Sequence, residues 1–264
     1  GQPRSGATGT GMDQLVVALD VQDGVAALAL GNNLRDVVGA FKVGSRLFTT
    51  EGPDIVRTLA ANGTRVFLDL KFHDIPNTVA TAVAAATSLG VWMVNVHASG
   101  GTRMMQAARA AARETAARQQ RHPPLVIAVT VLTSMNEAML DETGVHTPVL
   151  DQVLRLADLS QAAGLDGVVA SPLETPLIRK RCGPDFTIVT PGIRGGAAAD
   201  GATGTSAKRG GASAARFKND DQERTLGPAE AIAAGASYIV VGRPIIAAPN
   251  ARRAAEEIAR SLRP

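Results

Sequence analysis

The sequence predicts an α/β protein built as a single closed (β/α)8 TIM barrel, and three observations carry that expectation. Short β-branched runs recur eight times, each followed by a longer Ala-rich stretch. The runs read as continuous apolar segments, as strands covered on both faces of a parallel sheet must. A chain of 264 residues with 45% hydrophobic content can bury one large core, and this length is usual for one barrel of eight βα units. The same alternation suits an open doubly wound sheet, but eight repeats favour closure.

In chain order the strands are expected at 15–20, 40–44, 65–71, 92–97, 126–132, 167–171, 187–190 and 238–242. Between them the helical pattern is clearest at 53–62, 78–89, 102–119, 151–163, 228–234 and 251–262. Two stretches fall outside the repeat. Residues 1–11 form an expected flexible N-terminal segment, and 12–264 the barrel, with a low-complexity insertion at 195–219 as a long flexible loop after strand seven. Both stretches contain the string Gly-Ala-Thr-Gly-Thr, at 6–10 and 201–205. A loop there lies on the face where barrel enzymes keep their chemistry, so it reads either as a lid or as a tolerated surface insertion.

Composition narrows the partners. Lys plus Arg number 27 against 24 Asp plus Glu, a net charge of +3 that is too small and scattered for a nucleic-acid surface. Aromatics at 3% leave no stacking platform for single strands. The single cysteine, Cys182, forms no disulfide framework and reads as a packed residue near a helix end. No apolar run reaches membrane-spanning length, and the Gly/Ser/Thr-rich start lacks the apolar centre of a signal peptide. A cytoplasmic protein acting on a small molecule is expected, with no nucleic acid and no membrane among its partners. No Walker loop or Gly-x-Gly-x-x-Gly follows a strand, and His73, His97, His122 and His146 fall in no metal-ligand spacing. Neither a metal nor a nucleotide cofactor is indicated.

Polar residues gather at the strand ends. Asp20 closes strand one, Lys42 lies near the end of strand two, and Asp69 and Lys71 close strand three. Side chains alternate along a strand, so Asp69 and Lys71 at i and i+2 point together into the barrel mouth. Alternating carboxylates and ammonium groups hold one another ionised, and the array is costly to desolvate. It reads as chemistry or as a salt-bridge network closing the mouth. Asp74 follows in the turn before Ile75-Pro76, where a helix cap is an equal explanation. Strand eight ends Gly242-Arg243 and strand seven Thr190-Pro191-Gly192-Ile193-Arg194, the two strand ends that commonly build a phosphate site in this fold. Thr133 and Ser134 after strand five offer hydroxyls to a planar polar ring or simply cap a loop. Lys208, Arg209, Arg216 and Lys218 in the insertion read as a solvated basic stretch before they read as further phosphate contacts.

The ten residues Asp69-Leu70-Lys71-Phe72-His73-Asp74-Ile75-Pro76-Asn77-Thr78 resemble the signature of the orotidine 5′-phosphate decarboxylase family, whose members complete de novo UMP synthesis. The resemblance runs from Val16 to about Pro249. It includes Val17-Ala18-Leu19-Asp20, Lys42-Val43-Gly44, Asn95 to Gly101, Thr130 to Met135, Thr190 to Arg194, Asp221-Gln222 and Val241-Gly242-Arg243-Pro244. It implies decarboxylation of orotidine 5′-phosphate without a cofactor in a homodimer with shared sites. Lys42, Asp69, Lys71 and Asp74 would form a charged tetrad, with Lys71 the proton donor and Asp74 supplied by the partner subunit along with Ile75 and Thr78. Asp20 and Thr78 would hold ribose hydroxyls, and Thr133 and Ser134 the pyrimidine. Pro191, Arg194, Gln222, Gly242 and Arg243 would complete the substrate site toward the phosphate. The loop between Arg194 and Gln222 is longer than the family usually shows. Two rivals stand beside this: a metal-dependent sugar-phosphate decarboxylase or aldolase of the same barrel group, and a non-catalytic barrel that binds a nucleotide phosphate. The first needs an acidic ligand where Lys42 stands, and the second has no use for Lys71 among carboxylates.

Overall fold

The computed structural model describes residues 11–191 and 226–262. Eight strands, all parallel, close in sequence order into a barrel. They are β1 (Leu15–Ala18), β2 (Ala40–Gly44), β3 (Val66–Phe72), β4 (Met93–His97), β5 (Leu125–Val129), β6 (Gly167–Val169), β7 (Thr187–Thr190) and β8 (Tyr238–Val241). Closure is direct: Val16 of β1 sits beside Ala40 of β2 on one side and Val240 of β8 on the other.

The helices are α1 (Gly24–Leu34), α2 (Ser45–Glu51), α3 (Pro53–Ala61), α4 (Pro76–Ser88), α5 (Gly101–Arg118), α6 (Glu137–Glu142), α7 (Val149–Ala162), α8 (Thr175–Cys182), α9 (Pro228–Ala233), α10 (Arg243–Ile246) and α11 (Ala251–Ser261). The six helices with the clearest sequence pattern appear as α3, α4, α5, α7, α9 and α11. Cys182 ends α8 and is buried, as expected. The N-terminal segment expected at 1–11 and the loop insertion at 195–219 lie outside the described residues, apart from Gly11 in the turn that leads into β1. No helix among the described residues is long and apolar enough to cross a membrane.

Strand alternation sorts the core into two layers. Val16, Ala18, Ala40, Phe67, Met93, Ile127, Val189 and Val240 pack inside the barrel. Leu15, Val17, Phe41, Val43, Val66, Leu68, Val94 and Val96 face the helices. By the same period of two, Lys42 follows Ala40, Asp69 follows Phe67, and Asn95 and His97 follow Met93 on the interior side. Apolar residues thus fill the middle of the barrel, and Lys42, Asp69 and Lys71 stand toward its upper end.

One strand start has no space for a side chain. A Cβ on Gly167 would lie 2.0 Å from the carbonyl oxygen of its β7 neighbour Thr187. Gly167→Ala is expected to cost roughly 1–3 kcal/mol by overpacking, lowering Tm by about 2–4 °C per kcal/mol for a domain of this size. Thermal unfolding followed by circular dichroism checks this; an unchanged Tm would contradict the close β6–β7 approach.

Candidate active site

The charged residues expected at the barrel mouth converge on one carboxylate. Asp69 is 9% exposed. Its Oδ1 lies 2.7 Å from Lys71 Nζ and its Oδ2 3.3 Å from Lys42 Nζ. Lys42 Nζ also lies 3.8 Å from Oδ1 of Asp20, whose side chain is largely exposed at the rim. Asp20 stands two residues beyond the end of β1, and not within it, because β1 stops at Ala18. The result is a chain of alternating charges, Asp20–Lys42–Asp69–Lys71, running from the rim inward and back.

Burial pushes the Asp69 carboxyl up. The Lys42 and Lys71 ammonium groups, with hydrogen bonds from Lys71 and Asn95, outweigh it and hold the group below its ordinary 3.8. His97 is displaced in the opposite sense to a paired histidine: burial lowers it, and the nearby His73 and Lys71 lower it further. The His73 and His97 rings lie 5.4 Å apart. Neither histidine was assigned a catalytic part from sequence, and both stand beside the charged array.

Strand alternation explains the placing of Asp69 but not that of Lys71. Leu68 pairs with Val94 and Phe72 with Val96, so β3 bulges between those pairs. Lys71 has φ 52°, in the left-handed region that side chains disfavour. The bulge turns its ammonium back onto Asp69. The expected convergence holds, while its cause is an interruption of the strand and not the regular alternation.

Asp74 departs from the expected cap. The N-cap of α4 is Ile75, which has no side-chain cap, and Asp74 Oδ1 instead accepts the Ile75 N–H at 2.6 Å. Within this chain the Asp74 carboxylate pairs with no lysine among the described residues. Asp74 and Thr78 are exposed, and Ile75 is 67% exposed, an isoleucine left in water beside the site.

The remaining expected contacts divide. Gly242 follows β8 beside β1: a Cβ there would sit 3.5 Å from Asp20 Oδ2, so the end of β8 lies against the charged rim. Arg243 opens α10 next to it. Pro191 directly follows β7. Arg194 and Gln222, with the four basic residues of the insertion, lie outside the described residues. Thr133 and Ser134 lie in the turn between β5 and α6, because β5 ends at Val129. The Thr130 hydroxyl donates its hydrogen to the Val169 carbonyl at 3.0 Å.

Asn95, present in the sequence only as part of the Asn95–Gly101 motif and without a role, belongs to the array. It is 1% exposed, donates from Nδ2 to Asp69 Oδ1 at 2.7 Å, and accepts the Lys71 backbone N–H at 2.8 Å. A polar amide in the apolar run of β4, two residues after the interior Met93, was the available signal.

Fold and site together define a (β/α)8-barrel enzyme with an ionised acid–base array at the C-terminal ends of its strands. The Orotidine 5'-phosphate decarboxylase / HUMPS family model matches residues 13–217 and 209–258. The chain is 50% identical over 253 residues to the orotidine 5'-phosphate decarboxylase of Syntrophotalea carbinolica, covering 94% of this chain and 96% of that protein. It is 50% identical over 251 residues to that of Moorella thermoacetica, with 95% and 92% covered. The crystal structure of orotidine 5'-phosphate decarboxylase from Lactobacillus acidophilus superposes with a TM-score of 0.78 at 33% identity, covering 94% and 98% of the two chains. This chain belongs to the orotidine 5'-phosphate decarboxylase family, whose named members are carboxy-lyases.

The array tolerates little crowding. A Cβ on Gly44 would lie 3.1 Å from Lys42 Nζ, at a backbone φ of −93° that any residue adopts. Gly44→Ala is therefore expected to keep its Tm while displacing the ammonium and lowering kcat by about tenfold. Parallel melting curves and steady-state kinetics test this, and an unaltered kcat would show that the position of Lys42 is not critical.

Proposed function

We propose that the protein decarboxylates orotidine 5′-phosphate to UMP in pyrimidine biosynthesis. One observation carries the chemistry: a buried, ionised Asp69 held between the Lys42 and Lys71 ammonium groups, in a chain of this family. The C6–carboxylate bond breaks, CO2 departs, and the electron pair stays on C6 in the plane of the ring with no conjugated sink. Lys71 stabilises that pair by charge and then transfers a proton from Nζ to C6, forming the C6–H bond of UMP. Solvent returns a proton to the lysine. Asp69 stands beside the departing carboxylate and disfavours the bound ground state, while Lys42 keeps Asp69 ionised.

The rest of the site follows the family resemblance. Asp20 and Thr78 hold the ribose, Thr133 and Ser134 meet the pyrimidine, and Pro191, Arg194, Gln222, Gly242 and Arg243 surround the phosphate end. Binding energy gained there is spent on the chemical step. The metal-dependent rival is not favoured, because Lys42 places a cation beside both Asp20 and Asp69, where a divalent ion would be repelled.

The assembly we propose is a homodimer with shared sites. Asp74, which pairs with no basic side chain among the described residues, and the exposed Ile75 support it, since a second copy would give each a counterpart. Asp69 and Lys71 then serve their own subunit, and Asp74, Ile75 and Thr78 the neighbour's. The lone buried Cys182 suits a cytoplasmic setting.

Incubation of the purified protein with orotidine 5′-phosphate, followed by UV absorbance, is expected to show conversion to UMP; no conversion by a folded protein would refute the activity. Lys71→Ala should abolish nearly all turnover while UMP binding stays measurable by calorimetry, and near-normal kcat would remove Lys71 as proton donor. Mixing Lys71→Ala with Asp74→Asn should restore about one quarter of wild-type activity, because a hybrid dimer holds one intact site and half the dimers are hybrids. No recovery despite demonstrated subunit exchange would contradict the shared site. Arg243→Ala should weaken UMP binding far more than uridine binding, and equal losses would overturn the phosphate assignment.

A further inference from the structure

Asn95 spans the bulge of β3 from the neighbouring strand. Its two amide atoms are both used within the charged array: Nδ2 donates to Asp69 Oδ1 at 2.7 Å, and Oδ1 accepts the backbone N–H of Lys71 at 2.8 Å. The orientation of the amide follows from its partners. A backbone N–H only donates and an ionised carboxylate only accepts, so turning the amide over would set donor against donor and acceptor against acceptor.

The residue held this way is the one with an unfavourable backbone. Lys71 at φ 52° occupies the left-handed region, which a side-chain-bearing residue keeps only when its surroundings over-determine it. The bulge places Lys71 Nζ 2.7 Å from the same carboxylate oxygen that Asn95 contacts. Around the amide stand Asp69 and Lys71 on β3, Lys42 beyond them on β2, and His97 two residues along β4. The β5 neighbour in register is the apolar Ile127. Asn95 therefore has no other polar duty among the described residues.

We propose that Asn95 is a positioning residue for the decarboxylation, clamping the bulged Lys71 backbone and the Asp69 carboxylate so that the lysine ammonium is aimed before substrate arrives. This rests on Lys71 as the proton donor. Loss of the clamp releases the left-handed backbone and lets the ammonium drift, which slows the chemical step and leaves ribose and phosphate contacts in place. An ordinary buried amide, by contrast, contributes only to folding.

The test is kinetics of Asn95→Ser and Asn95→Asp in the full chain, with orotidine 5′-phosphate as substrate and UMP binding read by calorimetry. At neutral pH both variants are expected to lose about 100-fold in kcat, the scale of a small misplacement of a reacting group. KM and the UMP Kd should stay within about threefold of wild type. The aspartate has a further signature. Its protonated carboxyl donates to Asp69 while its other oxygen accepts the Lys71 N–H, so Asn95→Asp should regain kcat as pH falls, whereas wild type and Asn95→Ser should not. Undiminished kcat, parallel losses in kcat and KM, absence of the low-pH recovery, or failure of both variants to fold would each overturn the positioning role. A wild-type protein that leaves orotidine 5′-phosphate unchanged would instead overturn the decarboxylase reading, and the clamp with it.

Discussion

A carboxylate buried at the top of the barrel needs compensation, and the compensation given to Asp69 organises the rest of the site. Leaving such a charge unpaired is expensive, and a single partner at these separations is seldom enough in a low-dielectric setting. Asp69 therefore draws Lys42 from β2, Lys71 from its own strand and Asn95 from β4. Three adjacent strands are committed to one group. The closed barrel makes this possible, because consecutive strands bring interior residues at matched heights together, as the Gly44–Asp69 register does.

The arrangement is asymmetric in a way that suits a charge-stabilised carbanion. Asp69 and Lys42 are mostly buried, Lys71 is partly open, and Asp20 faces solvent at the rim. The more accessible of the two ammonium groups, Lys71, is the one to which the proposed chemistry gives the proton transfer, while both ammonium groups hold the carboxylate between them ionised. The bulge in β3 supplies this opening. A regular strand would continue the pairing with β4, whereas the left-handed Lys71 breaks it and turns its side chain back toward Asp69. Under the proposed chemistry, the strained backbone at Lys71 is stability exchanged for preorganisation.

How much of this was legible in the sequence depends on the range of the interaction concerned. The strands were readable because apolar β-branched runs and Ala-rich helices are local patterns, and boundaries differ by a few residues where polar strand ends such as Asp20 and Thr130 were counted as strand. Asp69 was readable from its position two residues after Phe67. Lys71 was placed on the right side for an incomplete reason, since the bulge that directs it depends on pairing with β4, twenty-odd residues away. Asn95 carried no role in the sequence beyond its place in the Asn95–Gly101 motif: the polar amide in the apolar run of β4 marks it as unusual, but its partners Asp69 and Lys71 lie on β3. Asp74 looked like a helix cap, yet Ile75 takes that position, leaving the carboxylate facing outward. The interface role proposed for Asp74 depends on contacts between two chains, which no local sequence pattern encodes. Arg194 and Gln222 fall outside the described residues.

The proposed chemistry requires an ionised Asp69, so the most direct measurement is a carbon-13 NMR titration of its side-chain carboxyl, assigned by comparison with Asp69→Asn. Because the folded value is lowered, the ion pairs contribute to stability above the ordinary 3.8 and that contribution is lost as pH falls through the folded value. The carboxyl signal should therefore titrate with its midpoint below the ordinary 3.8. A midpoint above 3.8 would mean that burial outweighs the two lysines, and would contradict the charged array on which the proposed chemistry depends.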